Sequence, residues 1–140
     1  MRSISLVLIL IIPLFIFSQD EGDCKGLKYG SFELYENGKK IGNVFRKDNL
    51  QIEKYFDKDT YTFVKIKPKN NCEFYFNAYE IKKDLDTITW SVSYKKIKKN
   101  HYSFTGKPTY LNIDYVYQGE LIKIADEISK EVEDVFNKMK

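Results

Sequence analysis

"ITWSVSYKKI", residues 88 to 97, alternates without interruption: Ile88, Trp90, Val92 and Tyr94 fall on one side, Thr89, Ser91, Ser93 and Lys95 on the other. Successive side chains of a strand point to opposite faces, so period two with one apolar side specifies a strand buried on one face. The same rhythm recurs along most of the chain in short runs separated by turn residues. "SFELYE" places Phe32 and Leu34 inward and is followed by Asn37-Gly38. That pair suits a two-residue type I′ hairpin, in which both residues take positive φ. "KIGNVFRK" returns with Ile41 and Phe45, and "DN" at 48–49 turns again. "LQIEKYFD" sets Leu50 and Ile52 against Gln51, Glu53 and Tyr55, and "TYTFVKIK" sets Thr62, Val64 and Ile66 against Tyr61, Phe63 and Lys65. Pro68 to Asn71 makes a turn, because Pro cannot donate to a ladder and Asn tolerates turn geometry. Beyond it, Cys72, Phe74, Phe76 and Ala78 share one face, and "HYSFTG" and "TYLNIDYVYQ" supply two further runs.

About eight strands in consecutive up-and-down spacing predict a mainly β fold, either a small barrel or a strongly curved antiparallel sheet. The aromatic content of 16%, mostly Tyr and Phe, agrees with strands. The tail changes period. Leu121, Ala125, Ile128, Val132, Val135 or Phe136, and Met139 recur every three or four residues, which predicts one amphipathic C-terminal helix over about 122–138, with "LIKI" at 121–124 equally able to end the last strand. Asp126–Lys130 and Asp134–Lys138 add favourable acid-before-base pairs on its solvated side.

The N-terminus bears on the compartment. Arg2 is followed by an apolar run from Ile4 to Phe17 and by the small Ser18. At about 14 residues this run is short of the roughly 20 that span a bilayer as a helix. Its basic start and small end are those of a secretory signal peptide, residues 1–18. An uncleaved anchor is the alternative. Cleavage leaves residues 19–140 as one β-rich domain of 122 residues, large enough for a real core. The expected location is periplasmic or secreted, with no membrane span after cleavage and a monomeric chain. Losing Arg2 leaves 22 basic against 20 acidic residues, a balance that disfavours a dedicated nucleic-acid binder.

Cys24 and Cys72 are the two cysteines, and an exported chain meets oxidising conditions. A disulfide between them is the economical reading; it would close a loop that contributes up to ~4 kcal/mol in the chain-entropy model. Two separately buried thiols are the other reading. A metal site falls short, since two cysteines and the lone His101 do not supply four ligands.

No catalytic constellation can be identified, and the expectation is a protein that is not an enzyme and needs no cofactor. Phosphate loops, nucleophile elbows and zinc-protease motifs are missing. Ser91, Ser93 and Ser103 have only His101 as a base, and His101, after a lysine run, reads as an exposed turn residue. Glu33, Glu53, Glu73 and Asp114 lie on different strands, with no pair marked out as acid and base. Lys95, Lys96, Lys98 and Lys99 form a basic patch that could meet anionic headgroups or nucleic acid, or simply keep a hairpin tip from pairing with other chains. Phe32, Phe74, Phe76 and Trp90 lead an aromatic set that either fills a core or lines a cavity for an apolar ligand. Arg46 can reach Gln51 or Glu53 across the 48–49 turn, as a cross-strand pair or as a polar contact for a ligand.

"CKGLKYGSFELYE", "FRKDNLQIEKY" and "NNCEFYF" carry a resemblance. With Cys24, Gly30, Phe32, Arg46, Gln51, Glu53, Cys72 and Phe74 in that order, the chain resembles a group of small uncharacterised exported proteins of Bacteroidetes-type bacteria. The group usually has a Trp shortly before its second Cys, where this chain has "VKIKPKNN". The resemblance implies export and a Cys24–Cys72 pair, and no mechanism. The leading expectation is an exported binding or structural module acting on an unknown protein or envelope component. Its alternative is a calycin-like carrier with a small apolar ligand in an aromatic-lined barrel, an analogy of architecture.

Overall fold

A computed structural model describes residues 23–78, 89–109 and 114–139. A 3-10 turn at Lys25–Leu27 leads into eight strands: β1 (Gly30–Glu36), β2 (Lys39–Lys47), β3 (Leu50–Tyr55), β4 (Thr62–Pro68), β5 (Glu73–Ala78), β6 (Thr89–Lys98), β7 (His101–Pro108) and β8 (Tyr117–Ala125). They are antiparallel, each bonded to the next, and β8 closes on β1 to complete a barrel. Closure removes the unpaired edges that an open sheet of these strands would expose. The helix α1 (Lys130–Lys138) follows. The expected β-barrel with one C-terminal helix is thus the observed fold. Ile88 and Tyr79 lie outside the described residues.

The first hairpin turns as its residues require: Asn37 and Gly38 have φ of 50° and 75°. Its register starts with Glu36 opposite Lys39 and Tyr35 opposite Lys40. Carried on unchanged, that register would set Ile41 opposite Leu34 and turn Phe45 into the barrel beside Phe32. A bulge intervenes. Leu34 pairs with Gly42 and Phe32 with Val44, leaving Ile41 as the extra residue. A one-residue shift flips every later side chain to the other face. Gly42 fits the tight spot next to the bulge, where a Cβ would come within 2.4 Å of the Lys54 carbonyl oxygen. Beyond it Val44 and Arg46 point in, and Phe45 points out.

The second turn, Asp48-Asn49, again has two positive φ values, 51° and 61°. It transmits the inversion without further slip, pairing Arg46 with Gln51 and Val44 with Glu53. Gln51, Glu53 and Tyr55 therefore line the barrel, while Leu50 and Ile52 face outward. The outward row of Phe45, Ile52 and Phe63 is apolar, and α1 covers it. Val132, Phe136 and Met139 of the helix segment pack with fully buried Ile52, flanked by Phe45, Leu50 and Phe63. Burying a side chain such as Phe136 contributes roughly 1.5–3 kcal/mol. Lys47 pairs with Glu133, and the Tyr61 hydroxyl reaches Glu131 at 3.4 Å.

The helix starts later than its periodicity suggested. Residues 122–125 belong to β8, and Ser129 is the N-cap, its hydroxyl accepting from the Val132 N–H at 3.5 Å. Leu121, expected on the helix stripe, is buried opposite Leu34 in β8. The short run "LIKI" fits either period, and the need of β1 and β7 for a shared neighbour decides it. Of the run expected from Thr109, β8 takes up Tyr117 and Gln118, and residues 110–113 lie outside the described set.

At the lower end of the barrel, the Cys24–Cys72 disulfide joins the segment before β1 to the turn before β5. Cys24 and Leu27 are fully buried there, so the 3-10 turn acts as a floor. Lys123 holds it by donating to the Gly26 carbonyl at 3.0 Å. Phe136→Ala should lower the unfolding free energy by about 3 kcal/mol or more, read as a shift of the urea midpoint. A change below about 1 kcal/mol would mean that α1 contributes little to holding the outer face.

Candidate ligand-binding cavity

The bulge brings Arg46 of β2 and Gln51, Glu53 and Tyr55 of β3 into one line inside the barrel, where Tyr94 of β6 joins them. Arg46, 1% exposed, donates from Nε to the Gln51 Oε1 at 2.7 Å and from Nη1 to the Leu27 carbonyl at 3.0 Å. Its Nη2 donates to the Tyr94 hydroxyl. Gln51 Nε2 donates to Glu53 Oε1 at 2.5 Å, and the Tyr55 hydroxyl donates to Glu53 Oε2 at 2.6 Å. The faces of Phe32, Phe74, Phe76 and Tyr94 surround the guanidinium carbon at 5.1–5.8 Å. A buried charge is costly unless its protons are bonded. Here neutral acceptors and ring faces do that together.

Above this line the barrel is hollow. A cavity of about 500 Å³ occupies its upper half, away from the disulfide, within the ~300–1,000 Å³ typical of small-ligand sites. Leu34, Val44, Val92, Phe104 and Leu121 form its apolar wall. Trp90, Tyr55 and Tyr117 stand higher, and Tyr115, 53% exposed, meets Trp90 edge-on at the rim, with ring centroids 6.0 Å apart. Arg46, Gln51, Glu53 and Tyr94 bring polar groups to the lower part of the lining.

The interior phenols report this environment. Burial raises the pKa of Tyr94, with Arg46 offsetting part of the rise. Burial also raises Tyr55, helped by its Glu53 neighbour. Tyr117 is pushed up to about 12 by burial and by the charges of Glu36 and Glu53. Tyr102, buried near the floor, is raised by burial as well.

The structure brings several sequence-highlighted residues together. Arg46, Gln51 and Glu53 form one hydrogen-bonded series. Phe76 and Trp90 line the cavity, while Phe32 and Phe74 belong to the filled core below it. Of the carboxylates considered, Glu53 faces inward. Glu33 pairs with Lys40 outside, and Glu73 with Lys69. Lys95, Lys96, Lys98 and Lys99 sit at the β6–β7 hairpin, at the opposite end of the barrel from the cavity. His101 corrects an expectation: it opens β7, partly buried, with Nε2 2.6 Å from Glu120 Oε2. The preceding lysines suggest an exposed turn, and its partner on the neighbouring strand β8 is invisible in the local sequence. Tyr94, Tyr55 and Tyr117 were missed as polar members of the site. The alternation of "TWSVSY" placed Tyr94 inward, and that was the available signal. Among the described residues there is no cluster of three or more metal-ligating side chains. No family model, curated protein or solved structure matches the chain.

Two outcomes follow. Gln51→Leu leaves the Arg46 Nε–H unpaired in the interior and should cost about 2–4 kcal/mol. Adding Arg46→Met should recover part of that loss, so the double variant is more stable than the sum of its singles; strict additivity in urea unfolding would mean that the pair is not coupled. The phenols have their own signature. Each holds its proton more tightly folded than unfolded, so their contribution is complete below about pH 10 and is lost as pH rises towards the folded values. At about pH 11 the native protein should absorb as though Tyr55 and Tyr117 were still protonated. The urea-unfolded chain should show them as phenolate. Equal phenolate absorbance in the two states would place these rings in solvent.

Proposed function

We propose that this protein is an exported, calycin-like carrier that holds a small, mostly apolar ligand in the upper half of its barrel. One observation carries the reading: the closed barrel leaves about 500 Å³ inside, walled by aliphatic and aromatic side chains, with a few fixed polar groups. Sites of that kind take a ligand by area and orient it by a few hydrogen bonds. The filled interior expected of a purely structural module fits only the lower half, where Phe32, Phe74, Tyr94 and Tyr102 pack. Export is supported by the signal-like residues 1–18 and by the Cys24–Cys72 bridge, which suits an oxidising compartment. Among the described residues no helix is long and apolar enough to cross a membrane, a statement about helices alone.

The test is a native mass spectrum of the exported protein, paired with uptake of the neutral fluorophore Nile red. A chain beginning at Gln19, lighter by two hydrogens until reduced, with an adduct that leaves on denaturation, is the expected result. Nile red should bind, and Val44→Phe, which fills the cavity, should weaken it by roughly tenfold while the variant still melts cooperatively. The mature mass with neither adduct nor dye uptake would return the protein to a partner-binding module. An uncut chain with two free thiols would remove the export reading.

A further inference from the structure

Arg46 and Glu53 both line the cavity, yet they differ in how far they are open to it. Three of the five Arg46 N–H groups donate to Gln51, Leu27 and Tyr94, and ring faces crowd its guanidinium. At 1% exposure it is the more closed of the two. Glu53 is half-buried at the level of the void, and its contacts are with two neutral donors, one to each oxygen. A carboxylate offers about four acceptor sites, so roughly half of Glu53's capacity remains. Among the described residues, no basic side chain pairs with it.

The surroundings share that sign. Tyr55, Tyr117, Trp90 and Tyr115 present rings around the upper cavity, and ring faces attract cations. A surface cleft lined by Glu36 shares Tyr55 and Tyr117 with the cavity. Glu36 and Glu53 both help to hold the Tyr117 proton on. Positive charge is already accommodated in this way nearby: Arg46 sits inside four rings, Lys58 lies 4.9 Å from the centre of the Tyr55 ring, and Lys40 lies 5.5 Å from that of Phe56. The lysines of the cleft, Lys39, Lys40 and Lys58, are of the opposing sign. Lys40 is drawn off by Glu33 at 2.9 Å.

Building on the carrier reading, we propose that the ligand is an amphiphilic organic cation, an alkyl or aryl amine whose ammonium group binds Glu53 among these rings. Its apolar remainder lies along Leu34, Val44, Val92, Phe104 and Leu121. Arg46 then acts as a fixed floor for the site and is not a receptor for an anionic head. Gln51 is a positioning residue that holds the Glu53 carboxylate towards the void.

Three probes of equal chain length separate the cases by calorimetry at neutral pH on the mature chain: decylamine, decanol and decanoate. The expected order is decylamine tighter than decanol by about tenfold or more, as for a hydrogen bond to a charged group, with decanoate weakest. Glu53→Gln should bring decylamine down to the affinity of decanol, in a variant whose cooperative melt shows that it folds. If decanol binds and decylamine gains nothing, or decanoate binds best, the cationic ligand is overturned and the carrier stands. If none of the three binds, the carrier reading itself fails.

Discussion

In a sheet whose side chains alternate, one extra residue inverts every face beyond it, and β2 contains such a residue at Ile41. The rest of the molecule follows from that bulge. With Gly42 and not Ile41 opposite Leu34, the barrel encloses Val44 and Arg46, and through the tight Asp48-Asn49 turn it encloses Gln51, Glu53 and Tyr55. The apolar partners in the same strands, Phe45, Leu50 and Ile52, are forced outside. An exposed stripe of that kind would be an aggregation hazard. The helix α1 exists in the fold as its cover, with Val132, Phe136 and Met139 supplying the complementary apolar face.

Enclosing Arg46 imposes a second requirement. Desolvating a guanidinium costs several kcal/mol, and the cost is met only where geometry supplies acceptors without strain. Two acceptors, Gln51 and Tyr94, are barrel side chains, and the third is the backbone carbonyl of Leu27. That third contact makes the 3-10 turn part of the solution. A chain segment ahead of the first strand would ordinarily fray. Here the Cys24–Cys72 bridge and the Lys123 contact to Gly26 pin it under the guanidinium. The disulfide thus fixes a hydrogen-bond acceptor for a buried charge as well as restricting the unfolded chain.

These dependencies explain which parts of the structure could be read from the residues. Strand rhythm, the Asn37-Gly38 turn and the cysteine pair are local or combinatorial, and each appears as expected. Arg46 opposite Gln51 was legible from the two-residue turn between them. Its depth was not, because the unbulged hairpin register predicts the opposite face for Phe45, and nothing local in "KIGN" announces the bulge except the glycine that permits it. The boundary between β8 and α1 stayed open for a different reason. Residues 121–125 satisfy both periods, and only the unpaired edges of β1 and β7, far away in sequence, choose between them. Tyr94 with Arg46 is likewise a contact across the barrel, and His101 with Glu120 depends on the pairing of β7 with β8.

The hollow upper half gains meaning from the same bookkeeping of forces. At ~24 cal/mol per Å³, a void of this size would cost up to ~12 kcal/mol if it had been cut into a packed core, comparable with the whole stability of a domain. The barrel avoids that comparison because its wall does not depend on the upper filling. Continuous ladders join all eight strands, the lower interior is packed around Arg46, and a second apolar core lies outside the wall beneath α1. Moving Phe45, Leu50 and Ile52 outward removed apolar volume from the barrel and left polar Gln51 and Glu53 in its place. The displacement that created the outer core therefore also emptied the inner one. A ligand that fills the space regains dispersion and apolar burial the chain itself does not use, and Glu53 is held where such a ligand would be read.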